Sequence, residues 1–387
     1  MARWLLPENL SDVLPEEAQR VEALRRSLLD LFRSFGYELV IPPLLEHLES
    51  LLTGSGHDLG LSTLKLVDQL SGRTLGVRAD TTPQVARIDS HILNRPGVAR
   101  LCYAGSTLRA RPLHPLASRE PIQLGAEIYG DADFGADREV LALAVRAARL
   151  VLAGSTPVPR LHVDLGHTAV LRALLGDVLQ ASDAVEGVLQ ALTSKDPGAL
   201  AQASAGMPQA LQEALGQLIG LVGGPEVLER ARRSLPPSAA LERALDELGI
   251  LARDCAADAV SIDLADLHGF RYHTGATFAL YVAGASSPLL RGGRYDDIGL
   301  AFGRARPATG FSLLDLREAA QWAPAATARA VRAPRGDSPA LALAVEQLRA
   351  QGHIVVQAAA HSELGVALQV DRALVERDGQ WIVQDLA

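Results

Sequence analysis

The chain has 387 residues, 48% of them hydrophobic, enough to bury a large core and to divide into more than one domain. Lys and Arg number 37 against 45 Asp and Glu, a formal net charge of -8 that argues against a broad phosphate-binding surface and against nucleic acid as a partner. Cys102 and Cys255 have no metal-ligand spacing and are too few for a disulfide framework, and no run approaches the roughly 18 to 20 apolar residues of a membrane span, so a soluble cytoplasmic protein without metal or cofactor is expected.

An amphipathic helix opens at Pro15 and runs through EEAQRVEALRRSLLDLFRSFG, where Val21, Leu24, Leu28, Leu31 and Phe32 recur at three- and four-residue spacing and Gly36 is a stop. YELVIPPLLEHLESLL holds a short extended run ended by Pro42 and Pro43, which suit a strand end or edge. TLKLVDQLSGRTLGVRAD alternates as two strands turned at Ser71-Gly72. A helix over TTPQVARIDSHIL precedes strands in VARLCYAGSTLRARP and EPIQLGAEIYGD, joined by a polar loop around His114 to Arg119.

DREVLALAVRAARLVLAG predicts an apolar helix, and PRLHVDLGH a strand that runs into a helix at Thr168. From about residue 170 to 258 the chain is rich in Ala, Leu and Gln and broken at Asp196-Pro197-Gly198, Gly223-Gly224-Pro225 and Pro236-Pro237, which predicts a helical insertion. Strands resume with AVSIDLADL, ATFALYVAG and LLRGGRYDD. The Ala- and Pro-rich APAATARAVRAPRGDSP reads as a linker to a helix (ALALAVEQLRAQG), a strand (HIVVQ) and a hairpin turned at Asp378-Gly379. Strand runs interrupted by helices, without βαβ alternation, predict an α+β fold. Its core is an antiparallel sheet backed by helices over residues 1–322, with a small α/β module over 330–387.

The order GYELVIPPLLE, LGVRADTTPQVAR, LRARP…QLGAEIYG, LHGFRYHTGATF, LLRGGRYDD and ATGFSLLDLR resembles the class II histidyl-tRNA synthetase catalytic domain over residues 8–320. It resembles still more closely the paralogous family of ATP phosphoribosyltransferase regulatory subunits. The part after residue 330 resembles a shortened anticodon-binding domain. By this resemblance the acid and the threonine that bind histidine fall at Asp80 and Thr82, where family sequences have Glu and Gly in place of Asp80 and Thr81. The family's Gln and Glu match Gln123 and Glu127, its first pocket tyrosine matches Tyr272, and its second is replaced by His273.

These residue types suit a free histidine on chemical grounds. An α-ammonium wants a carboxylate and neutral acceptors, which Asp80, Thr82 and Gln123 supply; an imidazole N–H wants an acceptor, which Glu127 supplies with Tyr272 beside it. The carboxylate is left for Arg109, placed on the strand before the polar loop. Strand alternation puts Gln123 and Glu127 on one face. A carboxylate on a covered face costs several kcal/mol unless paired, so a ligand or an arginine is expected at Glu127. The alternative makes Gln123 and Glu127 solvent-facing residues of an edge strand and Tyr272 a core residue.

Adenylation needs a cationic clamp on the developing charge, and the synthetase arginine at that place is His268 here. An imidazole, with an ordinary pKa near 6.5, is no permanent cation, and losing one such stabiliser typically costs roughly 10² to 10³ in rate. The family's Arg-x-Glu that faces adenine reads Arg109-Ala110-Arg111, and the last motif keeps Arg317 but has Leu314 and Leu316 for its glycine and glutamate. The resemblance therefore implies that adenylation is lost. Arg291-Gly292-Gly293-Arg294-Tyr295-Asp296 reads equally as pocket support or as a tight strand end. His162, Asp164 and His167 invite a metal, but alternation separates the two histidines and no third ligand motif is near.

The resemblance implies a non-catalytic subunit that activates the short-form ATP phosphoribosyltransferase catalytic subunit, at the first step of histidine biosynthesis, and lets histidine inhibit it. It also implies a dimer through GYELVIPPLLE within a hetero-oligomer. Two other functions stay open: an active histidyl-tRNA synthetase or amino-acid adenylating ligase, and an adaptor that uses the sheet only for assembly.

Overall fold

The computed structural model describes residues 5–53, 57–180, 182–285, 287–323, 328–359 and 368–386. The opening helix spans Pro15–Ser34 and buries Val21, Leu24, Leu28 and Phe32, the stripe its spacing predicts; Gly36 at φ +82° then turns the chain.

Strands follow as β1 (Glu38–Leu39), β2 (Leu45–His47), β3 (Leu64–Val67), β4 (Thr74–Val77), β5 (Ala99–Ser106), β6 (Ile122–Tyr129), β7 (Leu161–His167), β8 (Val222–Gly223), β9 (Ala259–Asp263), β10 (Ala276–Val282), β11 (Leu290–Arg294) and β12 (Ala308–Leu313). A nine-stranded sheet takes the order β1-β5-β6-β12-β11-β10-β7-β9-β8, and its six central strands, β5 to β7 in that order, are antiparallel throughout. β2, β4 and β3 form a separate antiparallel sheet, with Gly72 at φ +71° in the predicted turn.

The two faces of the large sheet differ because alternate residues differ. One face presents Leu124, Ala126, Ile128, Phe311 and Leu280, all buried, and the helix Gly135–Leu152 packs on its strands. On the other face the register lines up Gly105 with Gln123, Gly125 with Ser312, Gly310 with Glu127, Gly293 with Gly310, and Thr277 with Gly166. Opposed residues share a face, so this side has a floor of small residues from which Gln123 and Glu127 rise. β6 lies between β5 and β12, which removes the edge-strand alternative for both.

The helix Thr82–Arg87 continues as a π-helical turn, Ile88–Leu93, so TTPQVARIDSHIL is helical but not uniformly α. The insertion holds helices Ser182–Thr193, Pro197–Ala203, Gln209–Gly220, Val227–Ser234 and Ala239–Asp254. Asp196 and Ser238 cap two of them through side-chain oxygens, as their positions before Pro197 and Ala239 favour. Inside it, β8 pairs with β9, a strand that the helical period conceals.

The chain divides into two compact units, Met1–Asp12 with Leu24–Ala323, and Val13–Ala23 with Pro324–Ala387. The second contains β13 (Ala328–Ala333), the helix Pro339–Ala350, β14 (Ile354–Gln357), β15 (Leu368–Arg377) and β16 (Gln380–Asp385), in the order β14-β13-β15-β16. Val331, Ala333, Leu341, Val345, Val355 and Leu374 form its core. β13 falls in the stretch that reads as a linker. A register shift between Ala330 and Val331 buries both neighbours, which breaks the period-two signal. No helix among the described residues is long and apolar enough to cross a membrane, and both cysteines are free.

Candidate functional site

A cleft of about 230 Å³ opens on the small-residue face, and Asp80, Thr82, Arg109, Gln123, Glu127, Tyr272 and His273 all line it. Their elements are far apart in sequence. Asp80 and Thr82 follow β4 at the start of the helix Thr82–Arg87, and Gln123 and Glu127 stand on β6. Tyr272 and His273 hang from a tight turn in which both backbone N–H groups donate to the Gly269 carbonyl at 2.8 Å. Arg109 lies beyond the end of β5, held by an isolated bridge to Thr63, and so belongs to the loop and not to the strand the sequence suggests.

Glu127 is the centre of the arrangement. The Tyr295 hydroxyl donates to its Oε2, and Thr82 Oγ1 donates to Oε1 at 3.3 Å. Tyr103 Oη stands 3.0 Å from Thr82 Oγ1 and 2.6 Å from Ser312 Oγ, which in turn accepts from Gln123 Nε2 at 3.2 Å. One orientation satisfies the chain when Glu127 is ionised, each hydroxyl passing its proton along from Ser312 through Tyr103 and Thr82 to the carboxylate. Of the two partners expected at Glu127, a ligand or an arginine, no arginine is present; neutral hydroxyls bond the carboxyl instead. Burial pushes the Glu127 pKa up to about 8 against these bonds.

Gln123 braces the cleft instead of offering a vacant amide. Its Oε1 accepts from the Thr81 N–H at 2.8 Å, and its Nε2 also donates to Asp80 Oδ1 at 3.0 Å. The same Asp80 oxygen accepts the Thr82 N–H at 2.9 Å, which fixes the carboxylate at the cleft wall. Tyr272 stacks on Tyr295 with ring centroids 4.9 Å apart, and its buried hydroxyl has no partner among the described residues. The His273 ring meets Tyr272 edge-on at 5.2 Å, and desolvation pushes its pKa down to about 4, so it is neutral. Burial also lowers the Arg109 pKa, but not enough to discharge a guanidinium.

Pattern alone misses Tyr103, Ser312 and Gly310, and leaves Tyr295 open between pocket support and a tight strand end; it lines the cleft. A Cβ at Gly310 would fall 1.6 Å from Glu127 Oε2, so only glycine leaves room for the carboxylate. The available signals were a glycine inside a strand and a tyrosine after a glycine pair.

A larger cavity of about 770 Å³ adjoins the cleft and shares Asp80, Arg109, His273 and Arg291 with it. Asp164, Asp266, Asp315 and Glu318 line this outer space, a charge pattern hostile to a triphosphate. His268 lines it too, exposed, with Nδ1 2.5 Å from Asp266 Oδ1. Arg111 is exposed and lines neither space, and Arg317 donates to Ser11 Oγ at 2.9 Å. His162 bonds Asp164 and Ser261 while His167 bonds Glu247, and no metal-holding cluster occurs among the described residues.

The family model described as histidyl-tRNA synthetase matches residues 9–318, and that described as the ATP phosphoribosyltransferase subunit HisZ C-terminal domain matches residues 328–384. A histidyl-tRNA synthetase from Nostoc sp. PCC 7120 shares the fold at TM-score 0.75 and 18% identity, over 97% of this chain and 92% of that one. The architecture is therefore that of a class II synthetase-like protein. A structure from Bacillus halodurans, titled an ATP phosphoribosyltransferase regulatory subunit/histidyl-tRNA synthetase, has a TM-score of 0.79 and 27% identity over 95% of both chains. Proteins named ATP phosphoribosyltransferase regulatory subunit are 55% identical in Cupriavidus taiwanensis, over 98% of both chains, and 54% identical in Ralstonia nicotianae, over 99% of this chain and 98% of the relative. The chain belongs to the ATP phosphoribosyltransferase regulatory subunits, and its role is regulatory, not catalytic.

Proposed function

We propose that the cleft binds free histidine and that its occupancy controls a short-form ATP phosphoribosyltransferase catalytic subunit, at the first step of histidine biosynthesis. The observation that carries this reading is the match between a zwitterion with one ring and a cleft lined by two acids, two arginines and stacked tyrosines. The ring nitrogen meets Glu127, the α-ammonium meets Asp80, and the unpartnered Tyr272 hydroxyl gains a polar neighbour. Coupling of about 1 to 3 kcal/mol between two states is enough for such control, and one amino-acid site can supply it.

Two copies of the chain pair through the stretch after the opening helix, where Leu39, Ile41, Leu44 and Leu45 are exposed beside the edge strand β1. The carboxylates of the outer cavity, with His268 in the place of a clamp arginine, leave no adenylating chemistry.

The deciding experiment mixes the chain with a short-form catalytic subunit and follows ATP phosphoribosylation. Turnover should rise on mixing and fall when millimolar histidine is added; indifference to the chain or to histidine refutes the reading. Histidine-dependent pyrophosphate exchange by the pure chain would instead favour the ligase alternative.

A further inference from the structure

Two arginines line the cleft, and the geometry points to a role for Arg291, whose stretch the sequence leaves open between pocket support and a strand end. Arg291 stands on β11, opposite Ser312 of β12 and Ala279 of β10, and therefore on the small-residue face. It lines both the cleft and the outer cavity, at the wall they share. Among the described residues its guanidinium has no hydrogen bond or ion pair, and neither has that of Arg109. Every other charged group on the cleft wall is engaged: Asp80 by Thr82 and Gln123, Glu127 by Tyr295 and Thr82. A guanidinium offers five N–H donors in a planar fork suited to a carboxylate; Arg109 feels Asp80, Asp315 and Glu318, and Arg291 feels Asp266, but neither fork is filled by a hydrogen-bonded partner among the described residues.

We propose that Arg291, together with Arg109, receives the α-carboxylate of the amino acid in the cleft, so that the site selects ligands with a free carboxylate and rejects the corresponding amide or alcohol. This rests on the amino-acid reading of the cleft and adds a selectivity to it. Polyphosphates are kept out by the acids around the outer cavity, whereas a single carboxylate at the shared wall meets two cations against the one acid, Asp80, which Thr82 and Gln123 already engage. His268 contributes nothing there: it lines only the outer space and is held by Asp266.

The test compares L-histidine, L-histidinamide and L-histidinol by calorimetric titration of the full chain and of Arg291→Gln and Arg291→Lys. Ligand-free thermal melts serve as the folding control, because the substitution breaks no bond within the protein. Wild type should bind histidine at least about tenfold more tightly than either carboxylate-free probe. In Arg291→Gln, histidine should weaken by roughly 10- to 100-fold while the probes change little, and Arg291→Lys should recover part of the preference. An undiminished preference in Arg291→Gln, or equal binding of all three compounds by wild type, overturns the clamp while leaving the amino-acid reading intact. If wild type binds none of them, the amino-acid reading fails and the clamp with it.

Discussion

Tyr295 and Glu127 stand 168 positions apart in the chain, and the phenol of one donates to the carboxyl of the other on the small-residue face of the sheet. Glu127 is 1% exposed, so this bond and that from Thr82 replace the water it has lost. At pH 7, below the Glu127 pKa of about 8, the bond is to a neutral carboxyl, so Tyr295→Phe should destabilise the chain by about 0.5 to 1.5 kcal/mol. Urea denaturation with the Thr82→Val variant beside it checks this: if Tyr295→Phe is neutral, the carboxylate is held by something else.

The pH dependence of stability carries a sign set by Glu127. Its folded pKa is about 8 against an ordinary 4.5, so between those values the folded state holds a proton that the unfolded state has released. This contribution is fully present below pH 4.5 and is lost as pH rises through 8, with a slope of at most about 1.4 kcal/mol per pH unit. Ligand-free wild type should lose stability relative to Glu127→Gln across that window. Parallel profiles for the two proteins would contradict it.

His273 acts at the acid end. Desolvation holds its folded pKa near 4 against 6.5, so its contribution is present above 6.5 and is lost as pH falls through 4. A His273→Gln chain should show a shallower acid limb in chemical denaturation between those values, and NMR titration of the ring should find it neutral at pH 6.

Gly310→Ala places a methyl group where Glu127 Oε2 already sits. The strain of overpacking should cost about 1 to 3 kcal/mol or more, and ligand binding at the cleft should be lost. Gly97→Ala, where a Cβ meets nothing within 4 Å, is the matched control and should leave the melting temperature unchanged within a degree or two. Crystallography of Gly310→Ala with an undisturbed Glu127 would disprove the close approach.

Arg306 and Asp89 form a buried pair away from the cleft, with both carboxylate oxygens within 3.0 Å of Nη1. Arg306 also donates to the carbonyls of Gly97 and Tyr129. Asp89→Ala leaves this guanidinium buried without its anion and should cost about 3 to 5 kcal/mol. Calorimetric unfolding measures the loss, and histidine affinity of the remaining folded protein should be unchanged.

The parts of the fold that the sequence makes plain are those ruled by local periodicity. Leu24, Leu28 and Phe32 mark one helix face, and Gly72 and Asp378-Gly379 mark hairpins. Gln123 and Glu127, four apart on one strand, reach the same cleft because alternation leaves no other choice. What stays hidden is set by partners distant in sequence or by irregular backbone. β13 reads as linker because the shift at Ala330 and Val331 interrupts alternation, and Arg109 reads as a strand residue because nothing near it announces the bridge to Thr63. That Glu127 needs a partner, ligand or arginine, follows from charge alone; a hydroxyl donated from beyond β11 cannot be read from either neighbourhood.

The glycine-paved side of the sheet separates two kinds of evolutionary freedom. Gly125, Gly293 and Gly310 lie against other groups so closely that any side chain there collides, so the hollow resists being filled. Outside it, His268 in the outer cavity and Arg111 beyond both spaces are exposed and can be exchanged at little cost to stability. Exchange at those exposed positions can thus run on while the hollow itself keeps its shape.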